Sequence, residues 1–262
     1  MSTLIPNPRQ SGVLDLLRER NMITVEELAD RFGVTLQTVR RDVRLLSDAG
    51  LLARFHGGIR MPISTTENIG YRQRKTLNEQ AKQRIALTVA RQVPNGCSLI
   101  LNIGTTTEAI AAALSQHKGL RVITNNLNVA AILADNADCE VIVTGGVVRP
   151  RDRGLLGEAT VDFIRKFRVD IGVIGISGIE ADGTLRDYDY REVKVARTIV
   201  EHSREVWLAA DHSKFNRPAM VELARLDEID RFYTDQAPPA PFDRLLSEAD
   251  VPLFIADPED HP

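Results

Sequence analysis

Gln37, Arg40, Arg41 and Arg44 follow one another at steps of three, one and three residues. On a helix that spacing gathers one amide and three guanidinium groups on a single side. Such a set suits duplex DNA, because arginine pairs bidentately with guanine and glutamine with adenine. The hydroxyls of Thr35 and Thr38 stand beside them and suit phosphate oxygens. A second group of residues lies further along the chain. Gly104-Thr105-Thr106-Thr107 follows an apolar run and precedes a helix-like segment, and Asn125-Asn126 and Gly145-Gly146 follow two further apolar runs. Loops of this kind bind anions through backbone N–H groups and the positive end of a helix. Asp211-His212-Ser213-Lys214 comes just after another strand-like run. There Lys214 suits a phosphate as a point charge and Ser213 as a donor, with a plain surface lysine as the alternative. Together these loops predict a site for a small phosphorylated ligand. Asp187, Asp189, Glu192 and Lys194 gather around a later helix start. Ordinary helix-end electrostatics accounts for most of them, the alternative being a carboxylate that accepts a ligand hydroxyl.

The elements that would carry the first group are short and helical. Val13, Leu14 and Leu17 share one face of a helix from Arg9 to Arg20. Thr24-Val25-Glu26-Glu27 has the form of a capping box, so Thr24 heads a second helix as well as joining the candidate DNA contacts. Val25, Leu28, Ala29 and Phe32 continue that helix at spacings of three and four, and Gly33 ends it. A third helix is expected from about Leu36 to Ala49, stopped by Gly50. Leu36, Val39, Val43 and Leu46 form its apolar stripe, opposite the arginines. Two strand-like runs flank His56-Gly57-Gly58, which reads as a hairpin turn. Arg54, His56 and Arg60 then sit on a wing that reaches the DNA backbone or minor groove. The whole is a winged helix-turn-helix pattern.

Beyond it, residues 61–78 are polar and aperiodic and read as a linker. A long amphipathic helix is expected over 79–93. Apolar strand candidates at 98–103, 120–124, 140–144, 169–176, 205–210 and 231–234 then alternate with helix candidates at 108–114, 127–134, 159–167 and 190–202. That alternation predicts an α/β layer with a mainly parallel sheet. A last helix is expected at 242–249 and an edge strand near 251–255. The organisation is therefore a winged helix-turn-helix over 1–60, a linker over 61–78, and an α/β effector-binding domain over 79–262.

Composition narrows the classes. The chain has 262 residues, 43 % hydrophobic and 26 % charged, which suits a folded protein and excludes a disordered or collagen-like chain. No apolar run reaches the roughly 18–20 residues of a spanning helix. The start lacks a basic flank and apolar core, so no secretory signal is expected, and a cytoplasmic protein with buried thiols at Cys97 and Cys139 is the simplest reading. Residues 1–75 hold 12 Arg and Lys against 8 Asp and Glu, a local +4, which leaves −7 for the remainder of a chain of net −3. A basic head on an acidic body favours a polyanion partner for the head. The chain has no GxxxxGK[ST], and Gly172-x-x-Gly175-x-x-Gly178 is not dinucleotide spacing. The histidines and cysteines form no metal-binding pattern. No cofactor, no metal site and no catalytic residue are therefore assigned.

Thr35-Leu36-Gln37-Thr38-Val39-Arg40-Arg41-Asp42, with Arg9 before it and His56-Gly57-Gly58 after it, resembles the signature of the DeoR family of bacterial transcription regulators. Gly104-Thr105-Thr106, Thr124-Asn125-Asn126 and Asp211-x-Ser213-Lys214 resemble that family's effector-pocket motifs, and the likeness runs from about Arg9 to Pro239. It implies a DNA-binding head, a sensor body similar in fold to ribose-5-phosphate isomerase, and a homo-oligomer, dimer or tetramer. It implies operator DNA as one partner and glycerol 3-phosphate or a related sugar phosphate as the other. Asp42 falls off the outward face and reads as orienting arginines or capping donors. A sugar-phosphate isomerase with an accessory DNA-binding head stays open as the enzyme alternative, with Glu180, Asp182, Asp187 and Glu192 as available bases.

Overall fold

The computed structural model describes residues 6–20, 22–49, 51–55, 58–60, 65 and 68–257. They fall into two units, Met1–Ser64 and Thr65–Pro262.

In the first unit the chain forms α1 (Pro8–Arg20), β1 (Met22–Thr24), α2 (Val25–Phe32), α3 (Leu36–Asp48), β2 (Ala53–Phe55) and β3 (Gly58–Arg60). The capping box is present: the Glu27 N–H donates to Thr24 Oγ1 at 3.2 Å and the Thr24 N–H donates to Glu27 Oε2 at 3.0 Å. Gly33 ends α2 at φ 60°, a left-handed conformation that glycine adopts without a Cβ clash, and its N–H returns to Ala29 and Asp30. Thr35 then caps α3 through the N–H of Thr38. Leu17, Leu28, Leu46 and Ile59 are fully buried at the centre, with Val39 and Val43 beside them. Leu36, expected in that stripe, is 39 % exposed. It is the first residue of α3, and helical side chains lean toward the N-terminus, so this one overshoots the core. The strands form an antiparallel sheet ordered β1-β3-β2. The hairpin matches the sequence reading, whereas β1 is three residues long and too short to show a period. The turn residues His56 and Gly57, and the expected stop at Gly50, lie outside the described residues.

In the second unit α4 (Tyr71–Thr76) and α5 (Glu79–Gln92) lead into β4 (Ser98–Leu101), α6 (Thr105–Ala113), β5 (Leu120–Thr124), α7 (Leu127–Leu133) and β6 (Cys139–Val143). A hairpin of β7 (Val147–Arg149) and β8 (Gly154–Leu156) precedes α8 (Glu158–Ile164) and β9 (Val169–Ile174). Then come β10 (Gly178–Ile179), β11 (Thr184–Asp187), α9 (Tyr190–Glu201), β12 (Ser203–Ala209), β13 (Val221–Arg225), β14 (Arg231–Thr234), α10 (Phe242–Glu248) and β15 (Leu253–Ile255). Seven strands form one sheet in the order β15-β14-β12-β9-β4-β5-β6, and every neighbouring pair is parallel. Parallel strands are buried on both faces. Leu99, Leu101, Val122 and Val173 pack with α5, α6 and α7 on one side, while Ile100, Ile123, Ile174 and Leu208 pack with α8, α9 and α10 on the other. Each such Leu or Ile contributes about 1.5–3 kcal/mol by leaving water.

The order matters more than the number of strands. From β4 the chain steps outward through β5 and β6, then returns to lay β9 against the other side of β4. The direction of winding reverses between β4 and β9. The two loops leaving the carboxyl ends there diverge and open a crevice.

Three expectations are revised. Residues 71–76, read as part of a linker, are helical and belong to the second unit. Helix α6 begins at Thr105, not Glu108, so Thr105–Thr107 are its first turn. Gly145-Gly146 leads into the strand β7, not into a helix; β7 and the small antiparallel sheet β10-β11-β13 are too short to read from periodicity. Cys97 is buried and Cys139 half-buried, both as free thiols, and burial pushes the Cys97 thiol up to about 11. Among the described residues no helix is long and apolar enough to cross a membrane.

Thr24→Ala removes one half of the capping box and is expected to cost about 1 kcal/mol of stability. Urea unfolding of the protein, followed through the first unit, measures it; an unchanged midpoint would show that the cap is dispensable.

Candidate DNA-binding face and effector cavity

On α3 the side chains of Gln37, Arg40, Arg41 and Arg44 are exposed. With Thr35, Thr38, Arg9 and Gln10 they line one shallow groove. The two threonines are partly committed: Thr35 Oγ1 accepts the Thr38 N–H at 3.3 Å and lies 3.0 Å from Thr38 Oγ1. Thr24 is exposed at the head of α2 with its hydroxyl shared with Glu27, and Arg54 is exposed on β2. His56 lies outside the described residues. Asp42 orients an arginine and satisfies a nearby donor, as its place off the outward face implied, and the arginine is Arg9 of α1. It is 5 % exposed and accepts Arg9 Nε at 2.6 Å and Gln10 Nε2 at 3.0 Å, pinning α1 to α3.

At the reversal between β4 and β9 lies a cavity of about 50 Å³, room for a small molecule only. One wall is the loop after β4, through Gly104, Thr105 and Thr106. Gly104 has φ 148° and ψ 152°, and a Cβ there would come within 3.3 Å of Thr107 Oγ1. The Thr107 hydroxyl fixes the bend by reaching the carbonyls of Asn102 at 2.7 Å and Gly104 at 2.8 Å. The first helical bond of α6 is Glu108 N–H to Gly104 O, so the N–H groups of Thr105 to Thr107 have no partner within the helix. Lys214 contributes a second wall. It ends the single turn His212–Lys214, whose cap Asp211 accepts Asn78 Nδ2 at 2.8 Å and the Ser213 N–H and hydroxyl at 3.0 and 2.5 Å. Burial pulls the Lys214 ammonium down to about 8, with Arg217, Arg74 and Lys82 adding repulsion and only Asp211 opposing it. Burial works against the Asp211 charge too, yet Lys214 and these hydrogen bonds hold its carboxyl below the usual range.

Tyr71 and Arg74 of α4 and the carboxylates of Asp152, Asp187 and Glu192 also line the cavity. Arg149 organises two of the acids: it donates to Asp152 at 2.8 and 2.5 Å and to Glu192. Burial and the neighbouring Glu192 push the Asp187 carboxyl up to about 6, against the Tyr188 N–H that donates to it at 2.7 Å.

Of the residues expected to bind an effector, Gly104, Thr105, Thr106 and Lys214 meet in this cavity. Thr107 and Asp211 stand behind its walls. Asn125 and Asn126 are buried, Asn125 donating to Leu155 O at 3.2 Å and Asn126 capping α7 through the Asn128 N–H at 2.9 Å. Gly145 and Gly146 are exposed, and Gly146 lies so close to Thr160 that a Cβ would fall 2.2 Å from its hydroxyl. These four leave β5 and β6, on the outer side of β4 from the reversal, which is why they do not line the cavity. Asp189 and Lys194 follow the helix-end reading: one caps α9, the other pairs with Glu158 at 2.6 Å on the surface. Tyr71, Arg74 and Asp152 were not singled out in the sequence. The first two lie three apart in a stretch too short and polar to show a period, and Asp152 lies in a hairpin with no sequence signal.

Residues 9–65 match the DeoR-like helix-turn-helix domain and residues 77–236 the DeoR C terminal sensor domain. The chain belongs to the DeoR family. It is 45 % identical over 247 residues to the glycerol-3-phosphate regulon repressor of Escherichia coli (strain K12), covering 94 % of this chain and 98 % of that one. It is 38 % identical over 255 residues to the HTH-type transcriptional repressor CsqR of the same organism, covering 97 % of each. Among solved structures, ribose 5-phosphate isomerase A from Neisseria gonorrhoeae overlaps 53 % of this chain and 55 % of its own at 15 % identity and a TM-score of 0.40. Relatives along the full chain are named repressors and share its helix-turn-helix, so this protein is a transcriptional regulator and not an enzyme.

Proposed function

We propose that this regulator represses transcription by holding operator DNA and lets go when a small phosphorylated ligand, glycerol 3-phosphate, fills the cavity. The observation that carries the reading is the convergence of Lys214, Arg74 and the N-terminus of α6 on one small cavity. Cations and free N–H groups there match a phosphate. The name of the ligand is supported by the 45 % identity to a glycerol-3-phosphate regulon repressor, and the regulated genes would be those of glycerol and glycerol 3-phosphate metabolism. Asp152, Asp187 and Glu192 beside the cations supply acceptors for hydroxyls, a feature that also fits another sugar phosphate.

In this reading Gln37, Arg40, Arg41 and Arg44 enter the major groove, and Thr24, Thr35, Thr38, Arg54 and His56 meet the backbone. Gly104, Thr105, Thr106 and Lys214 hold the phosphate. Thr107 and Asp211 fix the loop and the lysine. Asn125, Asn126, Gly145 and Gly146 act from behind, by shaping the loops that follow β5 and β6. The protein works in the cytoplasm as a homo-oligomer, presenting heads in pairs to an operator of repeated half-sites, and needs no cofactor. The ligand shifts the population between two arrangements, and it does so only as far as it binds one better than the other.

Arg40→Ala and Arg41→Ala are each expected to weaken operator binding by about 1–3 kcal/mol. Gel-shift titration checks this, and wild-type affinity in both variants would remove α3 from the groove. Lys214 supplies a pH test. A phosphate monoester is a dianion above about pH 6, and Lys214 is charged below about 8. Ligand affinity should therefore fall as pH rises through about 8, because the ammonium then loses its proton. Lys214→Ala should bind ligand more weakly, lack that decline and keep its affinity for DNA. Calorimetric titration from about pH 7 to 9 reads the effect; an identical decline in the variant would exclude Lys214 from the phosphate site.

A further inference from the structure

The helix α4 is unlike the others of the second unit. It has six residues and none of them is fully buried. Polar side chains hold it. The Tyr71 hydroxyl donates to Glu108 Oε2 at 2.8 Å and accepts Asn128 Nδ2 at 3.0 Å. Glu108 is itself buried in α6 and also accepts Asn126 and Asn128. At the other end Lys82 donates to the carbonyls of Arg74 and Leu77, and Thr105 of the cavity loop reaches the same Arg74 carbonyl at 3.4 Å.

Tyr71 and Arg74 are three residues apart, hence on one helix face, and both line the cavity. The Arg74 guanidinium is poorly satisfied there. Its Nε is buried without a hydrogen-bond partner, and its Nη2 stands 3.7 Å from Asp152, whose two oxygens already take bonds from Arg149. Buried donors are normally paired, so this one is open to an acceptor that enters the cavity. Residues 65–70 alone separate α4 from the end of the first unit at Ser64.

Resting on the effector reading above, we infer that α4 is where the bound phosphate is read: Arg74 turns to a phosphate oxygen, and Tyr71 carries the change from the cavity into the chain that leads to the DNA-binding unit. The contact with Arg74 is made in one position of α4 only, and that difference in contact is what allows a ligand to shift the helix. A strap with no fully buried residue, tied down through polar side chains, belongs to the low-stability end of the molecule, where such shifts occur. Lys214 holds the phosphate without signalling; Arg74 does both, and Tyr71 passes the change on.

Hydrogen exchange of the full chain, with and without saturating glycerol 3-phosphate, separates these roles, with calorimetry to establish saturation. In the wild type the amides of 71–77 should change exchange rate by about fivefold or more on binding. Lys214→Ala should need more ligand but show the same change once saturated. Arg74→Gln should bind more weakly, and it and Tyr71→Phe should lose the change even at saturation. The conservative Tyr71→Phe keeps the test open if Arg74→Gln does not fold. Ligand bound with no change at 71–77, or a full change in both α4 variants, overturns the inference while leaving the effector reading standing. No calorimetric binding by the wild type would defeat the effector reading and this inference with it.

Discussion

Two cations, Lys214 and Arg74, set with three carboxylates and the N-terminus of α6 around one small space, form the constraint on which the second unit turns. Burial has already lowered the lysine's hold on its proton to about 8. The Arg74 Nε is nevertheless buried without a hydrogen-bond partner, and that costs stability unless an entering acceptor relieves it. A folded protein keeps it only where the surrounding structure is firm, and here it is. Loops at the reversal between β4 and β9 are anchored on the central strands of a seven-stranded sheet, which are buried on both faces.

That firmness has identifiable sources. Thr107 locks the bend at Gly104 from behind, and Asp211 with Asn78 fixes the turn that aims Lys214. Arg149 ties the β7–β8 hairpin to α9, so that Asp152 and Glu192 face the same space. The first unit uses parallel logic on a smaller scale. Asp42 grips α1 from inside and leaves the opposite side of α3 to its arginines. In both units a buried acid does the positioning and a basic group is left to meet a partner.

Much of this was legible in the residues. The capping box at Thr24, the left-handed Gly33 and the arginine face of α3 are local features, and local chemistry decides them. The alternation of strands and helices predicted the parallel sheet. What failed to show were features that depend on the order of strands in space. Asn125 and Gly145 have the same local look as Gly104, yet only the loop of Gly104 lies at the reversal. Periodicity cannot report that distinction. Tyr71 and Arg74 were hidden for the opposite reason: α4 buries no residue, so it leaves no apolar stripe to read. Leu36 marks a third limit, since a residue with the right phase still misses the core when it stands at the helix end.

On the proposed reading, two partners of like charge, DNA and a phosphorylated ligand, are met by separate units of one chain, and control requires that occupying one site alter the other. Fluorescence anisotropy of a labelled duplex, selected for tight binding to the full-length protein, measures that link when glycerol 3-phosphate is titrated into the complex. A saturable loss of anisotropy, with the half-point rising as DNA affinity is raised, is the predicted result. Simultaneous occupation of both sites with undiminished affinity for the duplex would contradict the account.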